Sequence, residues 1–389
     1  MNARPGVLPG HFVGEAAILD VRVVGAGPAG LMAAEVLATA GLRVTIIDHQ
    51  AKPSRKFLLA GRGGLNLTHS EPIERFLDRY GAARPQLEPA IRAFSPNDVR
   101  AWAKGLGVDT FVGSSGRVFP VGMKASPLLR AWLRRLDGLG VRLQSRMTWQ
   151  GFDDVPTVLA LGGASWPELG SDAAWGEIFK RSGIAVTPLQ ASNGRQKVTW
   201  SAPFVAKHAG APIKNVAVSA GGRRQRGEIM IARDGIEGGA IYAVASSAHG
   251  ALTIDLKPDL SHVQVQERLT RRRKKDSRST FLRKVFGLTP AAIGLMAEAG
   301  ADNPKEVTLQ IAGPDDLRRA ISTHGGVAFT EVDDHFRLHK FPNTYVVGEM
   351  LDWDAPTGGY LLQACFSTAR WAACDMARRL GATPPLPSL

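Results

Sequence analysis

Cysteine is scarce in this sequence: two residues, Cys365 and Cys374, in a chain of 389. They form neither a Cys-x-x-Cys pair nor a metal-ligand pattern, and nine residues apart on one expected helix they do not meet. A disulfide scaffold and a metal centre are therefore not expected, and both thiols are expected reduced, as in a cytoplasmic protein. Long apolar runs are lacking too. No uncharged apolar stretch reaches the roughly 18 residues of a membrane span, because Asp20, Arg22 and Glu35 interrupt the most apolar region. The opening MNARPGVLPGHFVGEAAI has no n-region and no apolar h-region, so it reads as a loose extension and not as a signal peptide. Acidic residues are outnumbered: 35 Asp and Glu against 48 Lys and Arg leave a net charge of +13, which points to a polyanionic partner. What remains is ordinary for a folded protein, 44% apolar and 21% charged, with length enough for two or three domains.

The most informative stretch is VRVVGAGPAGLMAAEVLATAGLRVTIID, residues 21–48. An apolar strand runs into Gly25-Ala26-Gly27-Pro28-Ala29-Gly30, a helix follows, and a second strand ends in Asp48. The three glycines have separate roles. Gly25 permits the tight turn, Gly27 lets backbone approach a pyrophosphate, and Gly30 lets the helix pack on the strand. The helix N-terminus offers free amides to phosphate, and Asp48, 23 residues after Gly25, is placed to accept ribose hydroxyls. A lone GxGxxG is weak evidence. Strand, turn, helix, strand and terminal acid in order make a dinucleotide site the expected reading, because a bare βαβ turn does not explain the acid.

An NAD site and an FAD site begin alike, so the other end of the chain decides. There a short strand ends in Gly348-Glu349, and Thr357-Gly358-Gly359-Tyr360-Leu361 opens a long helix. Glycine is needed where backbone lies against a flat ring, and amides there stabilise charge at the flavin N1/O2 region. Glu349 suits ribityl hydroxyls. The alternative is a helix merely capped by glycine turns.

Six ordered motifs then resemble one family. They are GAGPAG, KFLLAGRGGLNLTH, GRVFPVGMKAS, LALGGASWPELGSD, GEIMIARDGIEGGAI and GEMLDWDAPTGGYLLQ. The chain resembles the BaiN/YhiN-like, aminoacetone-oxidase-like FAD-dependent flavoproteins of bacteria, as a divergent subgroup. The resemblance places Arg62, Gly63, Gly64 and Asn66 beside the isoalloxazine, and Gly162 and Gly163 at a further close approach to FAD. Two departures mark the subgroup: Gly64-Leu65 stands where the family usually has Arg-Cys, and LALGG replaces Ala-Thr-Gly-Gly.

FAD segments at both ends imply an α/β fold, a discontinuous Rossmann-like FAD-binding domain carrying an inserted antiparallel β domain and a small helical insert. The expected boundaries are 1–189 and 339–389 for the FAD-binding domain, 190–256 and 305–338 for the β domain, a small barrel or sandwich, and 257–304 for the basic helical insert. Ser95-Pro96, Ser126-Pro127, Ser261 and Thr289-Pro290 are expected helix openers. No second GxGxxG occurs, so a separate NAD(P)H-binding domain is not expected: either the reductant, NAD(P)H first among them, docks at the flavin face, or electrons arrive through another protein.

The segment from Ser261 to Phe286 holds nine cations against Glu267 and Asp276, a net +7. Arg271, Arg272, Arg273, Lys274, Lys275 and Arg278 are candidate phosphate contacts, and Arg223, Arg224, Arg226, Arg318 and Arg319 extend them. The bland alternative is a solvated helix face. No RNA-recognition aromatic pair is present, so a base would be read in the active-site pocket.

Some family members look like dihydrouridine synthases of large-subunit ribosomal RNA. The resemblance therefore implies reduction of a uracil C5=C6 bond in ribosomal RNA or its precursor, with neither membrane nor metal. Two alternatives stay open: a small-molecule flavin oxidoreductase or oxidase acting on an enone or amine, and a non-catalytic RNA-binding flavoprotein. Candidate substrate-side residues are Arg62, Asn66, Arg117, Tyr360 and Gln363, with Trp166 as a stacking partner. Lys124 and Arg117 have a structural alternative, and Cys365 is read as a packed helix cysteine.

Overall fold

The computed structural model describes residues 19–60, 63–245, 250–273 and 275–385. The opening segment, Arg62 and Lys274 lie outside the described residues.

The strand Asp20–Val24 occupies the centre of a five-stranded parallel sheet. Its order is Thr344–Val346, Thr157–Leu159, Asp20–Val24, Arg43–Asp48, Arg142–Ser145. The register pairs Val24 with both Ile47 and Leu159, and Leu159 with Val346. The carboxyl ends of four strands are thus level, and the crevice outside such ends is where open α/β sheets hold ligands. Residues about 320 positions apart share this sheet, which makes the Rossmann-like unit discontinuous.

The helix Pro28–Thr39 is buried from Ala29 to Ala38. It packs against the C-terminal helix Tyr360–Arg379, whose Ala364, Ala369, Ala372, Ala373 and Ala377 are buried. Alanines on both helices let the two backbones come close. Glu35, the acid that interrupts the apolar run, is 8% exposed and fully engaged. Its Oε2 accepts from the indoles of Trp132 at 2.6 Å and Trp102 at 3.1 Å, and its Oε1 accepts from Arg135 at 2.8 Å. Two later helices, Pro96–Gly105 and Ala125–Gly138, are thereby tied to the helix that carries the glycine turn.

Three helix openers behave as the sequence suggests. Ser95 forms a capping box with Asp98, Ser261 forms one with Gln264, and Thr289 accepts from the amide of Ala292. Ser126 does not cap. Lys124 already has the extended backbone of an N-cap, so the helix begins at Ala125. Pro127 then sits in the first turn, where its missing N–H is no loss.

The middle of the chain forms a six-stranded antiparallel sheet in the order Val307–Gln310, Ala251–Asp255, Pro212–Ala220, Arg223–Ala232, Gly235–Glu237, Gln196–Lys197. Its two edges meet: Lys197 donates to Gly313 and accepts from Ala312, both at 2.9 Å. The chain beyond the last strand returns to the first, so the sheet closes as a small barrel and not as a sandwich. A second core fills it, with Ile213, Val216, Val218, Ile229 and Ile254 packed against Phe281, Leu282 and Leu295 of the helical segment. Lys305 fixes the segment's start, donating to Asp255 at 2.8 Å, Leu260 O at 2.7 Å and Lys257 O at 3.0 Å. No helix among the described residues is long and apolar enough to cross a membrane.

Replacing Glu35 by Ala strands two buried indole N–H groups and frees Arg135. The expected loss is about 3 kcal/mol, read as a lower urea midpoint with an unchanged slope.

Candidate dinucleotide site and basic surface

The glycine turn is shaped by backbone contacts that tolerate no side chain. Gly25 has φ +100°, and a Cβ there would lie 2.3 Å from the carbonyl oxygen of Ala160. At Gly30 a Cβ would fall 1.8 Å from the oxygen of Gly25. Gly27 differs, because a Cβ there would meet nothing within 4 Å. Gly25 and Gly30 serve the close meeting of strand, helix and neighbouring strand, whereas Gly27 faces open space. That space is a cleft lined by Gly25, Gly27, Pro28, Ala29 and Asp48 from the first βαβ unit. Gly162, Val347, Glu349 and Cys365 line it from the other strand ends and the C-terminal helix.

Asp48 has a double role. Its Oδ2 accepts from Ala26 N at 2.6 Å and its Oδ1 from Gln50 N at 2.7 Å, which fastens the glycine turn to the second strand. Each oxygen keeps a lone pair for a ligand hydroxyl. Beside it, His49 Nε2 and Ser171 Oγ are buried and have no hydrogen-bond partner among the described residues, and both residues line the cleft. Buried polar atoms are normally satisfied, so two orphans at the ribose end, with the open face of Gly27, fit a dinucleotide such as FAD.

Lys56 lies farther along the cleft. Its ammonium donates to Ser165 Oγ at 2.6 Å and pairs with Glu349 at 2.8 Å. Sequence-based reading singled out Glu349 but neither Lys56, His49 nor Ser171. Their signals were available: Lys56 opens the KFLLAGRGGLNLTH motif, Ser171 ends LALGGASWPELGS, and His49 follows the ribose acid. Cys365 touches the same cleft; burial, then the Glu349 charge, pushes its thiol well above the ordinary range.

The other expected cofactor residues among the described ones do not line this cleft. Gly64, at φ +116°, is required by Met123 and Phe119, whose atoms would lie 2.5 Å and 3.3 Å from a Cβ. Leu65 donates to Met123 O at 2.8 Å, so the second glycine turn is pinned to the GRVFPVGMK hairpin. Gly63 is exposed and a Cβ there would meet nothing. Asn66 keeps a buried Oδ1 without a partner among the described residues. Gly163 is filled by Thr323, whose Oγ1 would be 2.4 Å from a Cβ, and Gly348 is held by Thr368 and the Trp353 indole. Thr357 and Leu361 are half-buried. Gly358 and Gly359 both have positive φ, and Gly359 lies against the Thr68 backbone, which a Cβ would approach to 2.5 Å.

Three substrate-side candidates take other positions. Tyr360 is 4% exposed, stacked on His69 at 5.3 Å, and its hydroxyl donates to Glu71. Burial pushes that phenol up and the Glu71 bond adds to it, so Tyr360 anchors the helix start and offers no free ring face. Gln363 is fully buried, accepting from Thr68 and donating to Phe94 O and Ser367, which leaves it a core residue. Trp166 has φ +62° and donates its amide to Arg318 O at 3.1 Å, joining the two lobes. Arg117 is half-buried and has neither ion pair nor side-chain hydrogen bond among the described residues.

Arg271, Arg272, Arg273 and Lys275 are exposed on the loop between the helices His262–Leu269 and Arg278–Phe286, with no ion pair among the described residues. Arg278 differs, paired with Asp302 at 2.9 Å and bonded to Ala301 O. Arg224 and Arg226 are likewise tied to Asp255 and Asp259, so they do not simply extend the free cationic loop.

A family model described as the HI0933-like protein Rossmann domain matches residues 19–157 and 153–375. The chain belongs to that family. Its motif resemblance and its α/β, Rossmann-like architecture agree with this membership. The protein named ribosomal RNA dihydrouridine synthase of Escherichia coli K12 is 24% identical, over 92% of this chain and 97% of its own length. The protein of the same name from Haemophilus influenzae is 22% identical over 92% and 98%. A flavocytochrome c3 fumarate reductase in its open conformation aligns over 94% of this chain and 79% of its own, with 15% identity and a TM-score of 0.47.

The two fingerprint glycines predict opposite phenotypes. Gly27→Val should lose about 1 kcal/mol or less yet purify without flavin, because its side chain fills the cleft. Gly30→Ala should lose about 3 kcal/mol through backbone collision. Thermal melts and flavin absorbance of the purified variants separate the two effects.

Proposed function

We propose that this protein is an FAD-dependent oxidoreductase that reduces uridine to dihydrouridine in large-subunit ribosomal RNA or its precursor, in the cytoplasm. The observation that carries the reading is the end-to-end correspondence with two relatives named for that reaction, which spans both lobes and not the glycine fingerprint alone. The cleft supports the cofactor half and the unpaired cationic loop the RNA half.

The residues divide the work. The amides at the start of the helix Pro28–Thr39 bind the diphosphate through the open face of Gly27. Asp48, with His49 and Ser171 beside it, holds the adenosine ribose. Lys56 and Glu349, as a hydrogen-bonded pair, orient the ribityl chain. Bound and reduced, FAD supplies hydride to the β carbon of a conjugated carbonyl. Asn66, with its orphaned Oδ1, stands on the turn that the resemblance assigns to the ring side. Arg271, Arg272, Arg273 and Lys275 contact phosphates, each releasing counterions. A GxGxxG occurs once in the sequence, so an NAD(P)H donor would act at the flavin without a dinucleotide fold of its own, or electrons would come through another protein.

Mass spectrometry of ribosomal RNA from cells with and without the gene tests the reaction. The expected result is loss of one uridine carrying two extra hydrogens, and an unchanged profile removes the RNA reading. Oxygen consumption with a small amine or enone would then favour a small-molecule oxidase. The cationic loop has its own test: changing Arg271, Arg272 and Arg273 to Ala should flatten the log–log salt dependence of RNA binding by about two, without altering flavin content.

A further inference from the structure

No aromatic pair for nucleobases is visible along the sequence, but the fold builds one across two strands. A three-stranded antiparallel sheet holds the second glycine turn, in the order Thr68–His69, Arg117–Pro120, Thr110–Val112. Its edge pairing sets Phe111 directly opposite Phe119. The two rings stack, with centroids 5.6 Å apart and planes 26° apart. Phe111 is 41% exposed, and among the described residues it is the only exposed Phe, Tyr or Trp.

Phe119 is braced from both sides. A Cβ on Gly113 would lie 3.1 Å from its Cε2, and one on Gly64 would lie 3.3 Å from its Cε1. Met123 crosses the same glycine, its Cε 2.5 Å from the position of a Cβ on Gly64, and Met123 and Val121 are themselves exposed. An apolar face thus runs from the sheet edge to the second glycine turn, and such a face marks an interaction site. Charge says what kind. From Thr110 to Lys124 the chain has two cations, Arg117 and Lys124, and no acid. Neither cation has an ion pair among the described residues, and Arg117 Nε lies 3.4 Å from the position of a Cβ on Gly358, at the start of the C-terminal helix. Exposed stacked rings flanked by unpaired cations suit single-stranded nucleic acid, whose bases stack on the rings while its phosphates meet the charges.

We infer that the Phe111–Phe119 pair is a stacking platform for an unpaired base of the RNA substrate, with Arg117 and Lys124 meeting the adjoining phosphates. This rests on the uridine-reducing reading and lays the RNA strand beside the turn that the resemblance assigns to the ring side. Every base has a flat π face, so the platform holds a nucleotide next to the target and does not select the target itself.

The test is fluorescence anisotropy of a labelled single-stranded oligouridine added to the full-length protein over a range of salt concentrations. Phe111→Leu, which keeps an apolar side chain at this exposed position, is expected to weaken binding about tenfold and to leave the salt slope unchanged. Phe111→Trp should bind at least as tightly as the unaltered protein. A strand of the same length without bases should bind the unaltered protein and Phe111→Leu alike. Unchanged oligouridine affinity in Phe111→Leu overturns the inference, as does an equal loss on the baseless strand or no binding by the unaltered protein. Self-association that disappears in Phe111→Leu, read by sedimentation, assigns the face to a second copy of the chain and also overturns it. A weakened variant together with unchanged ribosomal RNA in the deletion strain defeats the reaction reading and leaves the platform; an unimpaired variant together with lost dihydrouridine does the reverse.

Discussion

Everything in the Rossmann lobe depends on one backbone approach, that of Gly25 to Ala160. The two chain segments come so close that a Cβ on Gly25 would overlap the Ala160 carbonyl oxygen at 2.3 Å. Ala160 in turn donates its amide to Val24 O at 2.8 Å, and Gly25 donates to Ile47 O at 2.8 Å. Three strand ends are thus drawn together around a residue without a side chain. The helix that follows is forced down onto them through Gly30, and its free amides are left aimed into the crevice. The cleft is a consequence of this contact, because a side chain at either glycine would pry the strand ends apart.

This explains what was legible in the sequence. The GAGPAG turn and its terminal acid encode a local steric demand, and local demands leave local signatures. Gly64 shows the limit of that logic. The resemblance places it beside a flavin ring, and in the fold its missing side chain also makes room for Met123 and Phe119, more than fifty residues downstream. A glycine announces a close approach and not the identity of what approaches. Tyr360 and Gln363 looked available for chemistry because their types are chemically versatile, yet both are consumed by partners that fold back from residues 68–94. The barrel closure was equally hidden, since Lys197 meets Ala312 and Gly313 only after the chain has traced the intervening strands. His49 and Ser171 needed the opposite information, the absence of hydrogen-bond partners among the described residues, which only the fold reveals.

The charge excess looks different once partners are assigned. Several arginines that appeared to form one basic surface are spoken for: Arg278 by Asp302, Arg224 by Asp255 and Arg226 by Asp259. Asp255 also holds Lys305, so one buried carboxylate anchors both the barrel edge and the start of the helical segment. On the loop after Leu269 three consecutive arginines face solvent with no ion pair among the described residues. A long-range field needs only net charge, but a docking surface needs cations whose fields are not cancelled nearby. The loop meets that second condition.

The two lobes divide the polar demands in the same way. On the Rossmann side, Asp48, Lys56 and Glu349 are each partly satisfied by protein neighbours and retain capacity toward the cleft. Such groups hold a resident cofactor well, because the site is already ordered before it binds. On the barrel's helical segment, Arg271, Arg272 and Arg273 are exposed with no ion pair among the described residues, a condition that favours a ligand which comes and goes.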